Sequence, residues 1–277
     1  RMTHPAYESG MTQTPPDASR PLVGVALMLG AMASLPFIDV LAKILGQQGV
    51  PILLVVWARL SFGALVTLPF ARRHTTLRGL FPERLVYHTW RATFLCLATF
   101  CFFYALKFLP IADALAIFFV QPLIVTVLSA LVLKERVGPR RWAAVAVGFI
   151  GTLIIIRPGF AAWNPGSVLA LAAGSFLAIY FVMTRRISGQ APAMLTTFQT
   201  NAAGSVLIAL LLPFVWQTPT PWQWLMMAGL GTIATLGHFL IVRAYDFAEA
   251  SLLAPLAYTE MIMATLLGYV FFHDFPD

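Results

Sequence analysis

Apolar residues run along this chain in long blocks, and the short segments between them hold most of the charge, proline and glycine. A helix crossing a bilayer core of about 30 Å needs roughly 20 apolar residues. Nine blocks approach or exceed that length: 22–45, 51–71, 87–108, 111–133, 141–156, 166–184, 192–215, 222–242 and 251–272. They are too long and continuous for barrel strands, and helices satisfy their own backbone in lipid. Breakers mark the joints at Gly49-Val50-Pro51, Gly138-Pro139, Pro158-Gly159, Asn164-Pro165-Gly166 and Pro219-Thr220-Pro221. Residues 1–20 are polar and proline-containing, and a mobile tail is expected there. The first block resembles a secretory signal ending at Ala31-Met32-Ala33, but its apolar run continues to Leu45, so it is read as the first span.

Composition agrees with this pattern. Of 277 residues, 59% are hydrophobic, and only 18 basic and 11 acidic side chains are present. Such a chain cannot cover itself with polar surface, so it is read as an all-α polytopic membrane protein rather than a soluble enzyme, a disulfide scaffold or a disordered chain. The formal charge of +7 follows from where the cations sit. With the N-terminus inside, fourteen fall in inner segments, including Arg72, Arg73, Arg84, Arg91, Lys134, Arg136, Arg185 and Arg186. Three fall outside, Lys43, Lys107 and Arg157, and Arg59 lies within the second span. This bias places the N-terminus in the cytoplasm and leaves no need for a nucleic-acid partner. Cys96 and Cys101 form no CxxC and read as small hydrophobes.

The chain also resembles itself. At an offset of 139, Phe100 meets Phe239, Ala105 meets Ala244, Phe108 meets Phe247, Thr126 meets Thr265 and Glu135 meets Asp274. At nearby offsets Leu68-Pro69-Phe70 meets Leu212-Pro213-Phe214, Pro51 meets Pro192, and Lys43 meets Arg185. The first and sixth spans carry small-residue stripes, Ala26/Gly30/Ser34 and Ala170/Gly174/Ala178, suited to close packing. A repeat of five helices is odd-numbered, so its two copies must lie inverted in the membrane. The expected division is a cytoplasmic tail at 1–20, a first repeat at 21–158 and a second at 159–277. The fifth span then lacks a partner, and the pattern predicts a tenth helix beyond Asp277.

Several stretches resemble the drug/metabolite transporter superfamily in its EamA-type form. They are Trp57-Ala58-Arg59-Leu60, Ala105-Leu106-Lys107 through Gln121-Pro122 to Lys134-Glu135-Arg136, Gly148-Phe149-Ile150-Gly151, and Ala254-Pro255 to Glu260. Within it, the chain looks most like YddG-type amino-acid exporters and S-adenosylmethionine transporter-like proteins. The resemblance implies a ten-helix carrier whose central cavity is built from the first, third, fourth, sixth, eighth and ninth spans. It also implies export as the direction of transport.

Ionisable groups inside a bilayer are costly, so each calls for a partner or a use. Glu260 lies near the middle of the ninth span, and the repeat pairs it with Gln121 in the fourth. Glu260 is a candidate to hold a substrate ammonium group or a proton; a carboxyl bonded to a neighbouring helix is the structural alternative. Arg59 lies about two turns below the outer end of the second span and Asp39 about one turn below that of the first; they are expected to form a structural ion pair, with Arg59 binding a substrate carboxylate as the alternative. Asp113 opens the fourth span, where a helix dipole favours it. Pro122 and Pro255 each remove a helical hydrogen bond, giving a hinge or a static kink. Phe100, Phe103 and Tyr104 at helical spacing, with Tyr180, Phe239 and Tyr258 on other cavity spans, are candidates for a ring-lined pocket. His238 suggests a gate near the inner end, and Trp222 and Trp224 an interfacial belt.

No HExxH, GxSxG, P-loop or dinucleotide fingerprint is present, so no enzyme activity, cofactor or metal is expected. These residues point to a secondary carrier acting as a monomer on a small amphipathic metabolite, with protons as the candidate coupled ion. Amino acids, aromatic ones included, come first, and S-adenosylmethionine or a nucleoside-like solute second. A membrane sensor or assembly subunit with a filled apolar centre is the reading from another class.

Overall fold

The structure, a computed structural model, describes residues 21–73, 75, 76, 78–82, 84–132, 138, 139, 143, 147, 150, 164–187, 191–247, 256 and 259–274. The helices are α1 (Pro21–Ser34), α2 (Pro36–Gln47), α3 (Ile52–Arg72), α4 (Leu85–Ala105), α5 (Ile111–Phe118), α6 (Gln121–Val132), α7 (Pro165–Arg186), α8 (Ala193–Ala209), α9 (Pro221–Phe247) and α10 (Thr259–Phe272). The protein is an all-α polytopic membrane protein, and five of its apolar helical runs have the length and hydropathy to cross a bilayer. The expected tail, the fifth span, Pro255 and Tyr258 lie outside the described residues.

Two of the expected continuous spans are interrupted. The first is divided at Leu35, where Pro36 opens α2 with its fixed φ and needs no N–H partner. The fourth is divided at Phe119-Val120, and Pro122 is the second residue of α6. Pro122 sits in a first turn, where its missing N–H would be unpaired in any case. The first span ends as its breakers predict. Gly49 adopts φ 81°, and the Val50 and Gly49 amides donate to Leu45 O and Gly46 O, a Schellman close before Pro51.

Packing is held by helices crossing at small residues. α4 lies along α7 and α8, α3 along α8, and α9 along α1, α2 and α3. α5 and α6 rest on α7, while α10 rests on α2, α1 and α5. Exchanging the first four spans for the sixth through ninth turns each of these pairings into itself or into another that the bundle also makes.

Glycines allow the close approaches. A methyl on Gly231 would fall 2.6 Å from Phe62 Cβ and 3.0 Å from Arg59 O, and one on Gly174 would fall 2.7 Å from Phe118 O. The Ala170/Gly174/Ala178 stripe is thus buried at the break in the fourth span. Its expected counterpart is not. On α1 the buried residues are Gly24, Met28, Ala31 and Met32, and Ala26 and Gly30 are exposed. The helix turns a Met-rich face to α9 instead.

Candidate functional site

Four helices, α2, α3, α6 and α10, bring polar groups into the bundle. Asp39 lies in the first turn of α2, just past the break, and is only 8% exposed. Glu260 lies in the first turn of α10, and Gln121 opens α6. A helix start favours negative charge, and Asp39 stands in the first turn of α2. Arg59 comes from α3.

Asp39 is within electrostatic reach of both Glu260 and Arg59. Arg59 in turn is within reach of Asp39, Tyr180 and Cys96, and His238 is within reach of Arg59. The His238 side chain is exposed. The expected ion pair is not closed. The Arg59 guanidinium donates from Nη1 to Thr99 Oγ1 of α4 at 2.6 Å, and its Nε is buried without a partner. Asp39 and Arg59 share a site without neutralising each other directly. Thr99, buried beside Arg59, is not among the residues that the sequence singles out. A threonine within an apolar span has many possible orientations, and only helix rotation selects this one.

The expected aromatic set divides. Tyr180 stands beside Arg59. Phe100 stacks on Tyr104 with ring centroids 5.7 Å apart, and both are half-buried. Phe103 is buried in the core and lines a separate 290 Å³ cavity with Lys43, Gln47, Lys107 and Asp274. Phe239 is exposed, next to His238. No hydrogen bond joins Gln121 to Glu260 among the described residues. Trp222 is exposed as an interfacial residue would be, whereas Trp224 packs edge-on against Trp57 and Phe62.

The cavity beside Phe103 is bridged by an ion pair. Lys43 Nζ of α2 meets Asp274 Oδ2, just beyond α10, at 2.5 Å, and also lies 4.6 Å from the Phe272 ring centroid. His273 takes φ 55°, and this left-handed turn folds Asp274 back so that its amide donates to Gly268 O. At the opposite, arginine-rich end, Arg91 of α4 is fully buried. The cation bias places Arg91 on the inner side, but counting charges by segment assigns a side of the membrane, not a depth. Beyond its position in an apolar run, no sequence signal marks Arg91 as buried.

The EamA-like transporter family matches the chain twice, at residues 22–157 and 164–277. The chain belongs to the EamA-like transporter family. It is 28% identical over 260 residues to the riboflavin transporter of Vibrio cholerae, covering 92% of this chain and 87% of that protein. It is 25% identical to the S-adenosylmethionine uptake transporter of Rickettsia prowazekii, covering 92% and 86%. The pseudopaline exporter CntI of Pseudomonas aeruginosa is 25% identical over 182 residues, covering 64% and 63%. A crystal structure at 23% identity, covering 94% of this chain and 90% of that chain, superposes with a TM-score of 0.64 and shows the fold alone. This EamA-like protein is accordingly a multi-pass transporter of the bacterial inner membrane, and the resemblance drawn from its motifs holds. The names of these three relatives all describe transport of small molecules.

Proposed function

We propose that this transporter carries a small amphipathic zwitterion outward by alternating access, with amino acids, aromatic ones included, as the first substrates. The observation that carries the reading is the central constellation. Arg59 faces Asp39 without an ion pair, Glu260 lies within reach of Asp39, and Tyr180 stands alongside. A cation, two carboxylates and a ring within reach of one another suit a molecule with a carboxylate, an ammonium group and an apolar part. Asp39 and Glu260 take the ammonium group, Arg59 takes the carboxylate in its fork geometry, and Tyr180 covers the side chain. S-adenosylmethionine is the second reading. It carries the same amino-acid end, and the chain resembles named S-adenosylmethionine transporters along most of its length.

The two halves, 21–158 and 159–277, are proposed to be inverted copies that rock about this site. The exchange of packing partners between spans supports this. So does the hydrogen bond between Ser61 Oγ and Ser205 Oγ at 2.6 Å. Those serines are 144 residues apart, the same separation as the matching Leu-Pro-Phe tripeptides. A residue that touches its own repeat equivalent lies on the axis relating the two copies.

The test is uptake into liposomes containing the purified protein, using a radiolabelled panel of amino acids and S-adenosylmethionine. It is run with and without a proton gradient, beside Glu260→Gln. Saturable uptake of an amino acid is expected. Gradient dependence that disappears in Glu260→Gln would identify Glu260 as the proton-carrying group, and gradient-independent uptake would indicate a facilitator. Uptake of S-adenosylmethionine alone would decide for the second reading. The absence of any uptake would overturn both.

A further inference from the structure

Arg91 has no role in the central constellation, yet it is the largest fully buried side chain among the described residues. Removing a guanidinium from water costs several kcal/mol unless its nitrogens and its charge find partners. Arg91 meets this condition only in part. Its Nη2 donates to Thr196 O at 3.0 Å and to Thr200 Oγ1, both on α8. Nε and Nη1 are buried with no partner. Arg91 makes no ion pair with a carboxylate among the described residues, and its electrostatic neighbours are Tyr87, His88 and Tyr180.

The orphaned atoms share one character. The four buried, unpartnered side-chain polar atoms among the described residues are Arg59 Nε, His88 Nδ1, Arg91 Nε and Arg91 Nη1. All are nitrogens, and the three on arginine can only donate. Tyr180 links the two arginines. The Arg91 guanidinium carbon lies 5.8 Å from the Tyr180 ring centroid, and Arg59 is within electrostatic reach of the same side chain. Along α4, Arg91 lies eight residues from Thr99, the acceptor of Arg59, a rise of about 12 Å. The bundle thus holds two under-bonded guanidinium groups at successive depths, both within reach of the Tyr180 phenol.

We propose that Arg59 and Arg91 are two successive binding stations for the carboxylate of the transported solute, with Arg91 the inner one. This rests on the zwitterion-carrier reading. A carboxylate leaving Arg59 for the inner end then meets a second bidentate donor before it meets water, and its charge stays compensated along the route. It also accounts for Arg91 being incompletely bonded when no carboxylate is beside it.

Matched solute pairs that differ in this one group test the proposal: L-phenylalanine and L-phenylalaninamide, and S-adenosylmethionine and its decarboxylated form. Uptake of each is measured in liposomes containing the wild-type protein, Arg91→Gln, Arg91→Lys or Arg59→Gln. The wild type is expected to carry the carboxylated member of a pair about tenfold faster or more, as loss of a charge-assisted contact implies. Arg91→Gln should slow that member about tenfold while leaving the neutral member unchanged, and Arg91→Lys should recover part of the loss. Because the neutral solute reports on folded, active protein, a misfolded variant cannot imitate this result. Equal slowing of both members in Arg91→Gln and Arg91→Lys would make Arg91 a purely structural residue and overturn the proposal. So would a wild type indifferent to the carboxylate, even though a carrier would remain. If no member of either pair is carried, the zwitterion reading falls, and the two-station proposal falls with it.

Discussion

Thr99 carries more of the site than its size suggests. It supplies the acceptor that fixes Arg59 Nη1 at 2.6 Å while Nε is left free. Replacing it with valine keeps the volume and removes the acceptor. The expected result for Thr99→Val is a rise in KM of about tenfold together with a lower unfolding midpoint, since a hydrogen bond to a charged group contributes about 1.5–3 kcal/mol and Arg59 Nη1 would lose its acceptor. Uptake kinetics on the best solute of the panel would check this, and an unchanged KM would mean that Arg59 is oriented by something else. Gly231 leads to a contrasting prediction for stability. A methyl there would collide with Phe62 Cβ and the Arg59 carbonyl, neither of which can give way without moving α3. Gly231→Ala is expected to destabilise the protein by about 1–3 kcal/mol, as overpacked cores do, and to lower the unfolding midpoint in detergent. Gly229→Ala, whose methyl would meet only Leu41 Cδ1 at 3.9 Å, is the control expected to change little.

At the scale of elements, the pairing of Lys43 with Asp274 ties α2 to the end of α10 across the 290 Å³ cavity. Exposed ion pairs contribute little to stability, and Asp274 is partly exposed, so Asp274→Asn should leave the unfolding midpoint nearly unchanged. Its effect should appear in access instead. The thiol of Gln47→Cys, on the cavity wall, is expected to react severalfold faster with a water-soluble maleimide when combined with Asp274→Asn. Equal rates would show that the pair does not restrain these helices. Elements are also where sequence and structure differ most. Apolar length marked the spans, because burial in lipid demands it, but not the breaks at Leu35 and Phe119-Val120. Pro36 and Pro122 fit equally well inside a kinked helix or at the start of a new one, and packing decides between the two. The same limit applies to the site. Arg59, Asp39, Glu260 and Tyr180 were legible as rare groups in apolar runs, whereas Thr99 and Arg91 depend on which way α4 is rotated, a quantity that its composition does not encode.

At the scale of the whole molecule, the cation bias and the packing make one further prediction. A reporter active only in the cytoplasm, inserted after Arg73, should be active, and one inserted after Gln217 should be silent; the reverse pattern would put the N-terminus outside the cell. The proposed inverted halves also lend the Ser61–Ser205 contact a history. If the halves arose by duplication, the half-length ancestor functioned as a pair of identical chains inserted in opposite directions, and this serine met itself across the pair. A single codon then controlled both sides of the contact, so any change there was felt twice. After fusion the two codons could diverge separately, and each became free to trade its hydroxyl for another partner. On that reading, both positions being serine is a trace of the older constraint, left at the place where it was strictest.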